Sequence, residues 1–373
     1  MDTVWVRLRS YQDYVAELVR DSFFSASGPV NSTFRHDLPP DYVTWSARSE
    51  GDQYRSLWEP LRAFFQKEGF TLWEHDKAPG SSTLYISTLP SPNGYAFRSL
   101  TWPSSLPRYT FEHVNGRQSA LRGSNNQDYV VSVLSIAGSG NRVIRILRRL
   151  SSEIPDILLS NNHILPLVKE IVLEDIVFGL FPMLSRNLQV AIEMPSPSTS
   201  LEDLLYLVMQ VLEAIVYIHS KNIAHRDVFF ENFLIEWIPS SLKKLSCTRP
   251  RVYLIDFESA VEFSEDTAPD TRLCNDLPFP DDMYNRPRAP ELTEVSLSYC
   301  PFRLDVWQLG HSLTDTLAIT GIPEVDAMWG PMMKTNPEER PTAQEVLESL
   351  VQFMRKTPPK DLHLQHPDSD VWL

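Results

Sequence analysis

The chain is 373 residues long, and its 42% hydrophobic content is sufficient for a sizeable core. Its formal net charge of -14 at pH 7 argues against nucleic acid or an anionic membrane as the main partner, because Lys and Arg drive binding to phosphates. No apolar run is long enough for a membrane span, the N-terminus has no secretory pattern, and the three cysteines are too scattered for a disulfide framework. We therefore expect an intracellular protein, cytoplasmic or nuclear.

Residues 1–110 are expected to form an N-terminal extension of unknown role. Two stretches in it have apolar residues at three-to-four spacing, which predicts one buried helical stripe in each. The first stripe is Tyr11, Tyr14, Val15 and Leu18, and the second is Leu57, Leu61, Phe64 and Phe65. Stripes of this kind belong to a core more often than to a binding surface, so we predict that the extension packs on the main domain.

From about residue 125 the sequence is rich in β-forming residues. The stretch "DYVVSVLSIAGSGNRVIRILRRL" predicts two strands around a Gly-Ser-Gly turn, which is a β-hairpin. A short capped helix is predicted in "SSEIPDILLSNN", and strands are predicted in "ILPLVKEIVL" and "DIVFGLF". After the linker "MPSPSTS", Ser200 is expected to cap a long helix with one broad apolar face. The remainder is mostly helix and loop.

Two motifs that follow the long helix carry acidic and amide side chains. They are "HRDVFFENF", directly after the helix, and "YLIDFES", further along the chain. Phosphoryl transfer needs a carboxylate that orients the attacking hydroxyl and accepts its proton, and oxygen ligands that hold Mg²⁺ against the phosphates of ATP. Asp227 suits the first task, and Asn232 and Asp256 suit the second.

In these residues the chain resembles the eukaryotic protein kinase family, whose catalytic loop is H-R-D-x-x-x-x-N and whose metal-binding motif is D-F-G. The matching residues are His225, Arg226, Asp227, Asn232, Asp256 and Phe257. The resemblance implies an α+β, bilobal protein-kinase-like fold, with a small β-rich N-lobe, a larger helical C-lobe and the N-terminal extension. It also implies a kinase-like domain over 111–356, with an N-lobe over about 111–190, a C-lobe over about 191–356, and a polar tail over 357–373. The implied cofactors are ATP and Mg²⁺.

Three further motifs follow in the order of the family. "RAPEL" contains Glu291, at the end of the activation segment, which begins at Asp256. "LDVWQLG" contains Asp305, which the resemblance assigns to holding the backbone of the catalytic loop. "NPEERPT" contains Arg340, which the resemblance pairs with Glu291.

The phosphate-binding lysine of the family lies in a third strand with the pattern V-A-I-K-x-L. Aligning "RVIRIL" with this pattern places Arg145 at the lysine position, although an outward-facing strand residue is an equally good interpretation. Lys169 lies too close to Asp227 to leave room for the remaining strands and the long helix. Glu153 is the candidate carboxylate partner of Arg145, although a Glu after two serines also suits a capping box.

Other departures from the family also concern the phosphates. The spacing G-x-G-x-x-G, whose glycines let backbone N–H groups approach phosphates, is absent upstream of Arg145. Phe229 stands where the family has a lysine that contacts the γ-phosphate, so one positive charge is missing from the catalytic loop. Glu258 replaces the glycine of D-F-G and removes backbone freedom.

Three hypotheses follow from these residues. The first is a slow or conditionally active protein kinase that transfers the γ-phosphate of ATP to Ser or Thr hydroxyls of a protein. The second is a pseudokinase, a protein-binding scaffold with weak or no ATP binding. The third is a kinase-fold enzyme acting on a small molecule, against which the "APE" and "RPT" patterns count. The retained acidic and metal-binding positions favour the first hypothesis, so we expect a protein substrate or partner, and the oligomeric state is left open.

Overall fold

The computed structural model describes residues 35–48, 51–78, 81–86, 109–152, 161–184, 186–193, 200–236, 251–281, 284–293, 298–317 and 320–362. The chain divides into two compact units. The β-rich unit comprises Met1–Ile157 and Leu165–Leu184, and the helical unit comprises Leu158–Ile164 and Ser185–Leu373. Within the described ranges, no helix has the length and apolar character needed to cross a membrane.

The β-rich unit is built on a five-stranded antiparallel sheet with the order β1-β5-β6-β8-β7, and β2, β3 and β4 form a separate small sheet. The strands are β1 (Phe70–Leu72), β2 (Glu74–His75), β3 (Thr83–Ile86), β4 (Tyr109–Glu112), β5 (Gln118–Gly123), β6 (Asp128–Ile136), β7 (Lys169–Leu173) and β8 (Ile176–Pro182). The helices are α1 (Tyr42–Ala47), α2 (Gly51–Trp58), α3 (Arg62–Lys67) and α4 (Asn141–Leu147). The strands predicted in "ILPLVKEIVL" and "DIVFGLF" are confirmed as β7 and β8.

Aromatic side chains from the predicted extension fill the core of this unit. Trp45 and Phe65 both pack edge-on against Phe178 of β8, with ring centroids 6.2 and 5.2 Å apart. The second predicted stripe is buried in the same cluster, as predicted, whereas the first stripe lies outside the described residues. Burial of one large apolar side chain contributes about 1.5–3 kcal/mol, so this packing is a major part of the unit's stability.

The sheet itself includes residues that we assigned to the extension. Phe70 and Leu72 of β1 pair with Gly123 and Leu121 of β5. Residue 110 itself lies in β4 and within the β-rich unit. The predicted domain boundaries stay a prediction, but the chain before residue 110 supplies one strand of the main sheet.

The predicted hairpin around the Gly-Ser-Gly turn is wrong in its second half. β6 ends at Ile136, Gly138 and Gly140 turn the chain with φ of 84° and 97°, and "NRVIRIL" forms α4 rather than a strand. The physical reason is the spacing of the apolar residues in this stretch, which repeats every three to four positions and continues to the buried Leu150. Arg145 consequently lies on the exposed side of a helix.

The helical unit contains six helices and five short strands among the described residues. The helices are α5 (Leu188–Glu193), α6 (Leu201–Ser220), α7 (Pro301–Thr316), α8 (Pro323–Trp329), α9 (Ala343–Lys356) and α10 (Pro359–Leu362). The strands are β9 (Arg186–Asn187), β10 (Ile223–Ala224), β11 (Phe233–Glu236), β12 (Arg251–Leu254) and β13 (Val261–Glu262). β12, β11 and β9 form one sheet in that order, and β10 pairs with β13.

The long helix predicted after Ser200 is confirmed as α6. The Ser200 hydroxyl accepts the backbone N–H of Asp203, and the Asp203 carboxylate accepts the backbone N–H of Ser200, so both ends of a capping box are present. Asn222, with φ of 58°, then turns the chain into β10. The end of α6 thereby leads directly into the segment that carries the predicted catalytic residues.

Candidate active site

The loop between β10 and β11 carries His225, Arg226, Asp227 and Asn232, and a buried carboxylate of α7 holds its backbone. Oδ2 of Asp305 accepts the backbone N–H of His225 at 2.9 Å, and Oδ1 accepts that of Arg226 at 2.6 Å. Asp305 is fully buried, and hydrogen bonds to a charged acceptor are stronger than neutral ones. The contact is the one that the resemblance implies for Asp305.

A second residue of α7, Gln308, also holds this loop, and we did not predict it. Oε1 of Gln308 accepts the backbone N–H of Val228 at 2.9 Å, and its Nε2 donates to the carbonyl of Arg226 at 2.8 Å. Gln308 follows Asp305 by three positions, so the two side chains leave the same face of the helix. The only sequence signal for this role is the glutamine three positions after Asp305 in "LDVWQLG".

Asp227 and Asn232 lie in direct contact. Nδ2 of Asn232 donates to the carbonyl of Asp227 at 2.8 Å and to its Oδ2 at 2.6 Å. Asp227 is 4% exposed, and within the described part of the chain its Oδ1 accepts no hydrogen bond. Burial raises the pKa of Asp227, and the charge of Arg286, whose Nε lies 3.5 Å from Oδ1, opposes that effect. Asn232 thus orients one carboxylate oxygen, and the other can accept a proton.

Asp256 is brought beside this loop by the pairing of β11 with β12. Phe233 pairs with Leu254, and the backbone N–H of Ile255 donates to the carbonyl of Asn232 at 2.9 Å. Asp256 then adopts φ of 64° and has an exposed side chain. A left-handed backbone at a residue other than glycine costs about 1–3 kcal/mol and is maintained only where the surroundings hold it.

The buried ring of Phe257 fixes the chain that follows Asp256. Its ring packs edge-on against His225 with centroids 4.9 Å apart, and Nε2 of His225 lies 2.9 Å from the carbonyl of Ile255. The hydroxyl of Ser259 donates to the carbonyl of His225 at 2.7 Å. His225 is therefore buried scaffolding that links the catalytic loop to the segment of Asp256.

Arg226 connects the catalytic loop to the activation segment. Its φ is 69°, its side chain is 1% exposed, its Nη2 donates to the carbonyl of Asp276 at 2.7 Å, and its Nη1 lies 3.3 Å from the Asp276 carboxylate. The hydroxyl of Tyr299 accepts from Nε of Arg226 at 3.0 Å and donates to the same carbonyl at 2.9 Å. Sequence reasoning missed Asp276 and Tyr299, which no short motif marks.

Glu291 and Arg340 form a buried ion pair. Nη1 and Nη2 of Arg340 donate to the two carboxylate oxygens of Glu291 at 2.6 and 2.7 Å. The Arg340 side chain is 0% exposed and the Glu291 side chain is 8% exposed. This two-point geometry matches the planar guanidinium to the carboxylate, and it joins the end of the activation segment to the chain before α9.

The interpretation of Arg145 as a strand residue is wrong, because Arg145 lies on α4. The third strand of the main sheet in chain order is β6, and the pattern V-A-I-K-x-L falls on its "YVVSVL" with Ser132 at the lysine position. β6 contains no lysine or arginine, so shifting the alignment along this strand would not place a cation at the lysine position. The phosphate-holding role of Arg145 stays a prediction, and the alignment that suggested it no longer supports it.

Glu153, the excluded Lys169 and the missing glycine loop also bear on phosphate binding. Glu153 lies outside the described residues. Lys169 lies in the β-rich unit, where its Nζ donates to Glu68 at 3.1 Å. The connection from β1 to β5, where a glycine loop would lie, contains the small sheet β2-β3-β4 in its described part. Gly116 at its end packs against α1, since an added Cβ would approach the carbonyl oxygen of Trp45 to 2.3 Å.

Part of the chain is similar in sequence to known proteins. Residues 154–324 match the family described as "Protein kinase domain". The "Serine/threonine-protein kinase stk11 homolog" of Dictyostelium discoideum is 26% identical over 161 residues, which are 42% of this chain and 24% of that protein. The "Probable serine/threonine-protein kinase KIN1 homolog" of Encephalitozoon cuniculi (strain GB-M1) is 35% identical over 101 residues, which are 27% and 14%.

The chain thus spans less than a quarter of the length of each of these two relatives. One similar solved structure is that of the Rad53 kinase domain and SCD2 in complex with AMPPNP. It has a TM-score of 0.44 and 15% identity, over 69% of this chain and 95% of the other. A similarity of this degree carries no information about ligands or substrates.

Proposed function

Because this chain belongs to the protein kinase superfamily, with its bilobal α+β fold, we propose that it transfers the γ-phosphate of ATP to Ser or Thr hydroxyls of a protein substrate. The observation that carries the proposal is the arrangement around Asp227. The carboxylate is buried, anchored through Asp305 and oriented by Asn232, with one oxygen able to accept a proton. A scaffold protein has no physical need for this arrangement.

In the proposed reaction Asp227 is the general base. Its Oδ1 accepts the proton of the attacking hydroxyl and directs the hydroxyl oxygen towards the phosphorus atom. Asn232 keeps the carboxylate in place through its amide, and the buried backbone contacts to Asp305 and Gln308 limit movement of the loop. Positioning of this kind is a large part of catalysis in phosphoryl transfer.

Asn232 and Asp256 carry side-chain oxygens of the kind that Mg²⁺ takes as ligands. The amide nitrogen of Asn232 donates to Asp227, which leaves its oxygen for another partner, and the backbone hydrogen bond from Ile255 brings the chain at Asp256 next to the chain at Asn232. No group of three His, Cys, Asp or Glu that could hold a metal occurs in the described ranges. Mg²⁺ needs only one or two protein ligands when phosphates and water complete its shell. When bound, it would neutralise the charge on the phosphates.

A protein-binding scaffold is the second candidate function, and one observation favours it. β6 offers no cation at the position of the phosphate-binding lysine, and Ser132 stands there. A site without this charge holds nucleotide less tightly. The two functions differ in whether Mg·ATP binds and whether phosphate is transferred.

Thermal unfolding with ATP, in the presence and absence of Mg²⁺, tests the proposal. We expect a Mg²⁺-dependent rise in Tm that Asp256→Ala removes and that Asp266→Ala, at an exposed acid of the same segment, retains. Autophosphorylation should be lost in Asp227→Asn while its Mg·ATP shift persists. Absence of any shift at millimolar ATP would contradict the enzyme and support the scaffold.

A further inference from the structure

Arg226 is a buried cation, and each of its three side-chain nitrogens has a partner in the described part of the chain. Its side chain is 1% exposed, so protein groups rather than water must satisfy the charge. Nε donates to the Tyr299 hydroxyl at 3.0 Å, Nη2 donates to the carbonyl of Asp276 at 2.7 Å, and Nη1 lies 3.3 Å from the Asp276 carboxylate. Asp227, the proposed base, is the next residue along the chain. The contacts that hold Arg226 therefore also hold the backbone beside the base.

Tyr299 joins the activation segment to Arg226 at two points. Its backbone exchanges two hydrogen bonds with Cys274, each 2.9 Å long, and its hydroxyl donates to the carbonyl of Asp276 at 2.9 Å. The same hydroxyl accepts from Nε of Arg226, whose guanidinium lies 5.8 Å from the centroid of the Tyr299 ring. Tyr299 is buried. This one side chain, from the chain that leads into α7, thus fixes both the guanidinium and the backbone at Asp276.

Asp276 supplies negative charge to the buried guanidinium. Within the described ranges it is the acidic residue that forms an ion pair with Arg226. Its carboxylate is 70% exposed, so water screens much of this attraction, whereas its carbonyl accepts both Arg226 and the Tyr299 hydroxyl. The charge and the geometry therefore come from different groups: the Asp276 carboxylate gives the charge, and the Tyr299 hydroxyl with the Asp276 carbonyl gives the geometry.

The part of the activation segment that contacts Arg226 has no hydroxyl of the usual kind for phosphorylation. From Arg272 to Glu291 the sequence contains no serine and no threonine. Its tyrosine, Tyr284, is 7% exposed, and the hydroxyl donates to the carbonyl of Pro287. A phosphate bound to Arg226 would also have to displace acceptors that already occupy the guanidinium. The negative charge at this place is thus part of the sequence, and modification is not needed to supply it.

We propose that Tyr299 and Asp276 are positioning residues that hold the activation segment on Arg226, so that the segment is ordered without being phosphorylated. The inference rests on the proposed function, in which Asp227 accepts the proton of the attacking hydroxyl. Tyr299 and Asp276 act on the base through Arg226, since Arg226 connects the segment to the backbone next to Asp227. The dephosphorylated protein then has the same arrangement of segment and catalytic loop as the phosphorylated one.

Hydrogen–deuterium exchange of phosphatase-treated protein tests the proposal, with intact mass used to verify that no phosphate remains. The probe is the backbone amide of Cys274, which donates to the carbonyl of Tyr299 and exchanges when the segment opens. Tyr299→Phe and Asp276→Asn each remove one contact with Arg226. This measurement needs no enzymatic activity.

Two control variants match the two substitutions. Tyr253→Phe changes another buried tyrosine, whose ring lies 5.5 Å from the guanidinium of Arg251 and which does not contact Arg226. Asp270→Asn neutralises an exposed acid of the same segment. Both controls should exchange at Cys274 as wild type does.

We expect the Cys274 amide of the wild-type protein to exchange equally slowly before and after phosphatase treatment. Tyr299→Phe should accelerate its exchange by about tenfold, because a buried Arg226 donor and the Asp276 carbonyl each lose a partner. Asp276→Asn should accelerate it by about threefold, because an exposed carboxylate contributes less, and Asp276→Glu should exchange nearly as slowly as wild type. Autophosphorylation of the dephosphorylated wild type should start without a lag. Its rate at saturating Mg·ATP should fall in Tyr299→Phe with the KM for Mg·ATP unchanged.

The possible failures are distinguishable. Fast exchange at Cys274 in dephosphorylated wild type that phosphorylation slows overturns the proposal, and so does exchange in Tyr299→Phe and Asp276→Asn equal to that of wild type. If Tyr299→Phe does not fold, Asp276→Asn decides, because its side chain is exposed. A wild-type protein that transfers no phosphate overturns the proposed function, while the exchange at Cys274 still decides whether Tyr299 and Asp276 hold the segment.

Discussion

At the scale of single residues, the candidate site depends on buried charged side chains that are each hydrogen-bonded. Asp305 accepts two backbone N–H groups, Arg226 donates to the carbonyl of Asp276, and Arg340 forms an ion pair with Glu291. A buried ion pair contributes little net stability compared with an apolar pair, but removal of one partner leaves the other charge buried and unpaired. These residues therefore tolerate substitution poorly even where they are far from the transferred phosphate.

Arg340→Ala should lower the free energy of unfolding of the helical unit by about 3–5 kcal/mol, because Glu291 would be left buried without its partner. Lys334→Ala is the control, since Lys334 pairs with Glu339 on the surface, where a salt bridge contributes about 0–1 kcal/mol. Urea unfolding followed by circular dichroism measures both. Equal effects of the two substitutions would show that the Glu291–Arg340 pair has no special importance for the fold.

At the scale of elements, α6 and α7 position the catalytic loop in different ways. α6 leads into it through Asn222 and β10, so the loop begins where the helix ends. α7 holds it from the side through Asp305 and Gln308. Gly310 lets the chain near Met332 approach α7, since an added Cβ would lie 2.7 Å from the Cβ of Met332.

The start of α6 offers a test of how far its capping box stabilises the unit. Ser200→Ala removes the hydroxyl that accepts the N–H of Asp203, so we expect a loss of about 1 kcal/mol in the free energy of unfolding. Ser220→Ala at the other end of the helix should cost less than about 0.5 kcal/mol, because the Ser220 hydroxyl donates only to the carbonyl of Tyr217. Thermal and urea unfolding of the two variants provides the comparison; similar losses would rule out a specific effect of the cap.

At the scale of the whole molecule, each unit has its own core, and the β-rich unit contains an unusual buried group of rings. His113 stacks on Tyr54 with centroids 3.8 Å apart, and His75 stacks on Tyr54 at 4.9 Å. Neither imidazole has a hydrogen-bond partner for its ring nitrogens in the described part of the chain. Burial lowers the pKa of both histidines, that of His113 to about 4, and the nearby Arg55 and Asp76 act on His75 in opposite directions.

The stability of the protein should therefore fall as the pH decreases from about 6.5 to about 4. In this window the unfolded chain binds a proton at His113 and the folded chain does not, so acid favours unfolding. His113→Phe keeps a flat ring beside Tyr54 without the titration, and it should flatten this part of the pH profile. Urea midpoints at several pH values measure the effect; an unchanged profile in the variant would exclude His113 as its cause.

The kinase-like motifs could be predicted from the sequence, whereas the structure of the stretch "RVIRIL" could not. The motifs around Asp227, Asp256, Glu291 and Arg340 are short and keep their spacing, so the resemblance to protein kinases could be predicted, and residues 154–324 match the protein kinase domain family. "RVIRIL" suits a strand by composition and a helix by periodicity. Its structure as α4 depends on the turn at Gly138 and Gly140 and on which face is buried.

The sequence by itself therefore indicated the resemblance to protein kinases, the elements β7, β8 and α6, and the identity of the proposed base and metal-binding side chains. Only the tertiary structure decided that β6 is the third strand of the main sheet, that Gln308 and Tyr299 hold the site, and that Arg286 lies beside Asp227. The physical reason is the separation of the residues along the chain. A motif contains residues that are close in sequence, whereas Arg286 contacts Asp227 because the activation segment packs against the catalytic loop, and no local sequence pattern encodes that packing.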